Sequence, residues 1–268
     1  MLIRFGQNGL KILLKINKMN IIALILARSG SKGLKNKNIK RLQGFNLIQW
    51  SVFSALESSF VKKIIISSDY LPVDLGSFAS KFLWKRPKKL ATDFTLSFNV
   101  IKFILSDKRL NFDVDYVVLL EPPCPFRNGY LIDEVVKFAI KNKASSVVTL
   151  KEVGDSHPIR MKRILKNKMI GDYGDSEPLV GFPRQKQEKL YLRDQAVYVL
   201  SPKNFFNKKK SLYGKRCFGF VNNNLSINID SLIDFKFAQF LIKEDKSKRI
   251  LLPNTKIEVT KDIENKIV

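Results

Sequence analysis

Residues 26–38 read L-A-R-S-G-S-K-G-L-K-N-K-N, with Arg28, Lys32, Lys35 and Lys37 crowded among two glycines and two serines. They follow an aliphatic run, residues 21–26, with the length and composition of a buried strand. A strand that ends in a cationic loop of small residues brings backbone N–H groups and positive charge against a polyanion, most often phosphate. We read this loop as the holder of a nucleoside triphosphate. It is neither G-x-x-x-x-G-K-[S/T] nor G-x-G-x-x-G, so spacing alone leaves a plain basic turn open beside the phosphate loop.

Such a loop needs a sheet to carry it, and the chain supplies one. Apolar periodicity predicts helices over residues 46–60, 73–83, 96–105 and 131–142, and strands over 61–67, 116–120, 145–150 and 196–200. Residues 84–93 read as a basic loop, and residues 226–230, S-I-N-I-D, as a last short strand. Ser231 and Asp234 form a capping box opening a helix to Ile242. Strands alternating with helices imply a mostly parallel sheet covered on both faces, with ligands at the carboxyl ends of the strands. The opening loop, Ser68-Asp69 and the segment from Glu121 to Arg127 all fall at such ends. From 151 to 195 the alternation lapses into a polar, Gly/Pro-punctuated excursion.

The totals bound the class. The 268 residues suit one large α/β domain, and 45% hydrophobic residues allow a substantial core. Lys and Arg number 48 against 24 Asp and Glu, a formal charge of +24. That excess is spread along the chain, with no basic stripe interleaved with aromatics, so no specific nucleic-acid partner is expected. Cys124 and Cys217 form no C-x-x-C pair, which indicates neither a zinc site nor a disulfide framework and fits a reducing, cytoplasmic setting. No apolar run approaches the roughly 20 residues that span a bilayer, so no transmembrane segment is expected. Residues 1–20 are a basic stretch too weakly apolar for a signal peptide and read as a dispensable leader before Met19 and the first strand. Residues 21–244 form the domain, and residues 245–268 a charged tail of unread role.

The run A-R-S-G-S-K-G-L-K-N-K-N resembles the A-R-x-x-S-K-G-x-x-x-K-N signature of cytidylyltransferases that activate 3-deoxy-2-keto sugar acids, chiefly acylneuraminate (CMP-sialic acid) cytidylyltransferases. The similarity extends from about residue 21 to 242. It implies a three-layer Rossmann-like nucleotidyltransferase fold and a homodimer in which the 151–195 excursion joins the subunits and lends residues to the partner's site. Ala27, Arg28, Ser31, Lys32, Lys37 and Asn38 then form the nucleotide loop, with Arg28, Ser31 and Lys32 on the triphosphate. Arg86, in the R-P before L-A-T-D, matches a second nucleotide-contacting arginine, and Ser97 a serine that reads the cytosine or ribose.

The sugar side matches less well. E-P-P-C-P-F-R resembles Q-P-T-S-P-L-R but carries Glu121 where a glutamine contacts the sugar, and Pro123 and Cys124 also depart. His157, the single histidine, precedes Pro158; a lone histidine is most often structural. By resemblance Arg160, with Lys162 as the alternative, and Arg184, Gln185 and Tyr198 are sugar-side residues, with Asp194 and Gln195 standing where N-G is usual. S-I-N-I-D resembles S-I-D-I-D, whose aspartates bind magnesium; here the pair is Asn228 and Asp230, and an uncharged amide implies weaker metal binding. The implied reaction is transfer of CMP from CTP to the anomeric hydroxyl of a sugar acid with release of pyrophosphate, with Arg28, Lys32 and Asp230 at its centre and Mg2+ as cofactor. A Kdo-type or other sugar substrate stays open, as does a degenerate homologue that binds nucleotide without turnover.

Overall fold

The computed structural model describes residues 14–174, 183–244, 252–255 and 266–267. Seven strands form one sheet: β1 (Ile21–Ala27), β2 (Lys63–Ser68), β3 (Leu83–Lys85), β4 (Tyr116–Leu120), β5 (Ser146–Glu152), β6 (Tyr191–Leu200) and β7 (Cys217–Val221). Their order is β7-β5-β6-β4-β1-β2-β3, and every pairing is parallel except those of β6 with β4 and β5. Four longer helices accompany it: α1 (Leu47–Glu57), α2 (Ser97–Leu105), α3 (Gly129–Lys141) and α4 (Leu232–Glu244).

β1 shows why the sheet must be covered twice. Ile21, Ala23 and Ile25 pack on one face with Ile48 and Val52 of α1 and Val135 of α3. Ile22 and Leu24 pack on the other with Val100, Ile101 and Ile104 of α2. Successive side chains of a strand point to opposite faces, so a strand apolar at every position demands a layer on each side. The fold is the expected three-layer α/β with a mostly parallel sheet. Among the described residues, no helix is long and apolar enough to cross a membrane.

A third apolar cluster sits at the carboxyl ends of the strands and gathers segments far apart in sequence. Leu34 of the opening loop, Phe126, Ile229 and Phe235 of α4 pack there with Trp50 and Phe53 of α1. The turn holding Phe126 is pinned by Arg127, which is fully buried. Its guanidinium donates to the carbonyl oxygens of Glu121 (3.0 Å) and Cys124 and to Ser51 Oγ at 2.5 Å.

Several expectations need correction. The helix read over 73–83 is a single turn, Pro72–Leu75, followed by a 3-10 turn, Ala79–Phe82. Strand β3 straddles the boundary between the segment read as a helix, 73–83, and the basic loop read over 84–93; three residues are too few to carry a period. Residues 226–230 are not a strand: Ile229 N donates to the Pro123 carbonyl at 2.8 Å, but no ladder forms. β7 was not anticipated, because Gly219 interrupts its apolar pattern, yet it pairs with β5 along its whole length. β6 starts at Tyr191, five residues before the strand read from the sequence. The capping box is formed as expected, with Ser231 Oγ accepting from Asp234 N (3.2 Å) and the Asp234 carboxylate accepting from Ser231 N (2.7 Å).

The ends are less separate than they read. Ile16 is buried in the first cluster, so the segment taken as a leader supplies a core residue. In the tail, the Lys266 carbonyl accepts from Ile64 N at 2.9 Å. The excursion carries a small hairpin, Lys162–Ile164 with Ile170–Asp172, whose Ile164 and Ile170 are exposed.

Replacing Arg127 with Met should strip three acceptors of a charged donor and cost about 3 kcal/mol or more. A shift in the urea midpoint checks this; a loss under about 1 kcal/mol would show that Arg127 does not hold the turn.

Candidate nucleotide site

The opening loop is shaped by ties at both ends. Asp69, just beyond β2, accepts from Ser29 N (2.8 Å) and Ser29 Oγ (2.5 Å), lashing the loop to the neighbouring strand. Gly30 takes a left-handed φ of 72°. At Gly33 the limit is space, since a Cβ there would lie 2.6 Å from the Asp230 carbonyl oxygen. Asn38 then closes the loop, its amide nitrogen donating to the Arg28 carbonyl at 3.0 Å.

A cleft of about 470 Å³ opens at the carboxyl ends of β1, β2 and β4. Of the nucleotide residues read from the sequence, Arg28, Ser31, Lys32, Lys37, Asn38, Arg86 and Ser97 line it. Ala27 does not; it is fully buried as the last residue of β1. Glu121, Asn228 and Asp230 line it as well.

The cations are held in place by named partners. Arg28 and Lys32 both pair with Asp93, at 2.6 and 2.7 Å. Lys37 pairs with Asp230 Oδ1 at 2.6 Å. Arg86 is buried and donates through Nη2 to the Ser67 carbonyl (2.7 Å) and through Nε to Ser67 Oγ (3.2 Å). Burial lowers its pKa to about 10, which Asp69 partly offsets, so it stays cationic at neutral pH. Four cations around one cleft suit a polyphosphate.

Glu121 stands where β4 ends, and burial pushes its carboxyl above the usual carboxylate range. Arg127, Lys37 and Arg193 oppose that shift, and Asp230 adds to it. Cys124 beside it is buried, its thiol pushed up to about 12, which makes it a packing residue rather than a nucleophile.

Arg160, Gln185 and Tyr198 are not among the residues that line this cleft. Arg160 is on a 3-10 turn, 3.5 Å from Asp155. Gln185 is exposed in the Arg184–Lys186 turn, and the side chain of Arg184 lies outside what is described. Tyr198 is buried in the second core cluster, and burial is the main cause raising its hydroxyl pKa. His157 is structural: its Nδ1 accepts from Ile159 N, and Nε2 meets the Glu188 carbonyl at 3.1 Å.

Sequence reasoning missed Asp93, Thr95 and Gln195. Thr95 and Gln195 line the cleft, and Asp93 engages two of its cations. Asp93 lies in the L-A-T-D run already singled out for Arg86, so the signal was present but read only for its cation.

A metal was expected on Asp230 and Asn228. Among the described residues, no group of three or more His, Cys, Asp or Glu side chains gathers to hold one. However, Asn228 Oδ1 is buried without a hydrogen-bond partner, and its Nδ2 donates to Asp230 Oδ2 at 2.5 Å. One carboxylate plus an orphaned amide oxygen beside a phosphate-binding cleft fits magnesium, which takes few protein ligands and relies on substrate phosphates for others.

A family model described as Cytidylyltransferase matches residues 22–257. The chain is 26% identical over 231 residues to post-translational flagellin modification protein B of Campylobacter coli, covering 84% of this chain and 95% of that protein. It is 28% identical over 256 residues to N-acylneuraminate cytidylyltransferase of Escherichia coli O18:K1:H7, covering 93% of this chain but only 57% of that longer protein. It is 28% identical over 229 residues to CMP-N,N'-diacetyllegionaminic acid synthase of Campylobacter jejuni, covering 83% of this chain and 94% of that protein. In fold it is similar to a CMP:2-keto-3-deoxy-manno-octonic acid synthetase complexed with CTP, with a TM-score of 0.59 at 13% identity over 84% of this chain and 98% of that one. The fold is therefore the Rossmann-like nucleotidyltransferase type. The match over residues 22–257, nearly the whole chain, places it in the cytidylyltransferase family, whose members are nucleotidyltransferase enzymes.

Proposed function

We propose that the chain transfers CMP from CTP to the anomeric hydroxyl of a sugar acid of the sialic or legionaminic class, releasing pyrophosphate. The observation that carries this reading is the cleft that Arg28, Lys32, Lys37 and Arg86 line together with Glu121 and Asp230. The names of the relatives supply the substrate class.

The sugar hydroxyl attacks the α-phosphorus in line, a new P–O bond forms as the hydroxyl's proton passes to solvent, and the α–β bridge breaks with its electron pair on pyrophosphate. Arg28 and Lys32 hold the triphosphate and take up the charge that grows on the leaving group. Lys37 and Arg86 fix the rest of the nucleotide, and Thr95 and Ser97 lie where the base or ribose would rest. Such transfers depend chiefly on positioning and charge neutralisation. Bound magnesium supplies further neutralisation on the phosphates, and Asp230 with Asn228 would hold it, Lys37 sharing the Asp230 carboxylate.

Glu121 is placed on the sugar side, where burial raises its pKa and so favours the neutral form. A protonated carboxyl donates a hydrogen bond much as the family's glutamine amide does, without repelling the substrate's own carboxylate. Arg160 and Gln185 sit on the excursion and do not line this chain's own cleft. This arrangement supports a homodimer in which they serve the partner's site. The exposed Ile164, Met169, Ile170 and Tyr173 of the hairpin provide the apolar surface for such pairing.

Pyrophosphate release from CTP and magnesium, measured across a panel of sugar acids, tests the reading. Release with a sialic- or legionaminic-type acid supports it, and no release with any acid leaves a nucleotide-binding homologue instead. Lys32→Ala should lower turnover by about two orders of magnitude or more without a change in melting temperature, because a preorganised charge on the leaving group is lost. Near-normal turnover would remove Lys32 from the site. Asn228→Asp should shift the magnesium titration to lower concentration, since a second carboxylate adds charge; an unchanged titration would sink the metal assignment.

Glu121→Gln has a pH signature. The raised pKa means the folded state binds the proton more tightly, so the carboxyl's contribution is full below the ordinary carboxylate range and is lost as pH rises through the folded value. The variant should melt higher than the parent at pH 8, and the difference should shrink on acidification toward pH 4. A difference independent of pH would show that Glu121 is not desolvated.

A further inference from the structure

Asp93 closes the L-A-T-D run that follows Arg86, and it holds two of the cations on which the proposed function rests. Its Oδ1 meets Arg28 at 2.6 Å and its Oδ2 meets Lys32 at 2.7 Å, so one carboxylate bridges both. The bond from Lys32 holds its pKa below the usual carboxylate range, so it is an anion throughout the neutral range. A carboxylate and a phosphate cannot accept from the same guanidinium and ammonium hydrogens, and side by side they repel.

The turn that carries Asp93 is fastened mainly to itself. Thr95 N donates to the Thr92 carbonyl at 3.2 Å, and the two threonine hydroxyls lie 2.8 Å apart. Its apolar neighbours give it little core anchorage, since Phe94 is 92% and Leu96 65% exposed. Moving this turn therefore disturbs few buried contacts, while Arg28 stays fastened by its own bonds to the carbonyls of Ser29 and Gly30.

We propose that Asp93 is a positioning residue that competes with the triphosphate for Arg28 and Lys32. By pairing with both, it keeps two long side chains aimed into the cleft, and a ligand with several negative charges displaces it. Its return to the same cations after transfer helps to expel pyrophosphate. A protein that spends part of its time in the carboxylate-paired arrangement binds polyphosphate more weakly by the fraction so occupied, and this is the quantity a substitution changes.

The test is calorimetric titration of CTP and of inorganic pyrophosphate into the full chain, as parent, Asp93→Asn and Asp93→Glu. Because Asp93 pairs at the surface, removing its charge should tighten both ligands by about fivefold, with the gain shrinking at high salt. Asp93→Glu restores the competing charge and should return affinity toward the parent value. In turnover, Asp93→Asn should lower KM for CTP and strengthen inhibition by pyrophosphate in the same ratio, with no rise in kcat. Equal or weaker binding by Asp93→Asn would overturn the proposal, showing that the carboxylate only supports the cations. The titrations need no sugar, so tightened binding without turnover on any sugar acid would count against the proposed reaction and leave the role of Asp93 standing.

Discussion

The cleft depends above all on one close approach, that of the opening loop to the backbone of Asp230. Gly33 permits it because no side chain of its own stands between the loop and the Asp230 carbonyl. The apolar cluster of Leu34, Phe126, Ile229 and Phe235 enforces it from beneath. Two of these residues adjoin ones that line the cleft: Leu34 follows Gly33, and Ile229 separates Asn228 from Asp230. Dense packing transmits small displacements, so a change in this cluster moves cation and carboxylate together. The site is polar, but its geometry is set by residues that never touch a polar ligand.

On that base, charge is arranged in local opposition. Asp230 faces Lys37, and Asp93 faces Arg28 and Lys32. Arg86 is held by Ser67 and by burial rather than by a full ion pair. Side chains fixed in this way lose less freedom when an anion arrives, so more of the attraction appears as binding. The formal charge of +24 is a poor guide to this site. What matters is that four cations share about 470 Å³ with carboxylates able to yield them.

Much of this was legible from the sequence, for identifiable reasons. β1, β4 and α3 carry unbroken periodicity because they are buried on fixed faces, and the loop after β1 carries small and cationic residues that no core requires. What stayed hidden was decided by distant partners. β3 is three residues long, and β7 depends on pairing with β5 across about seventy residues of sequence. The segment at 226–230 alternates like a strand, but Ile229 is drawn into the third cluster and no neighbouring strand pairs with it. Asp93 could be seen, but a carboxylate among lysines reads as an ordinary surface charge until its two partners are located.

Two departures from the family pattern, Gln195 and Glu121, fall where a buried side chain holds the backbone. Gln195 stands where the family has glycine and still takes a left-handed φ of 62°, a conformation that costs a non-glycine residue about 1–2 kcal/mol. Asp194 offsets the strain: its carboxylate accepts from Ala196 N at 3.0 Å, from Thr149 Oγ1 and from Asn222 Nδ2 at 2.7 Å. The turn is thus rebuilt by a buried carboxylate where a glycine would have adopted it freely, and the Gln195 side chain is turned into the cleft. Glu121 follows the same logic at the end of β4, with Arg127 holding the carbonyl of the residue whose side chain has changed.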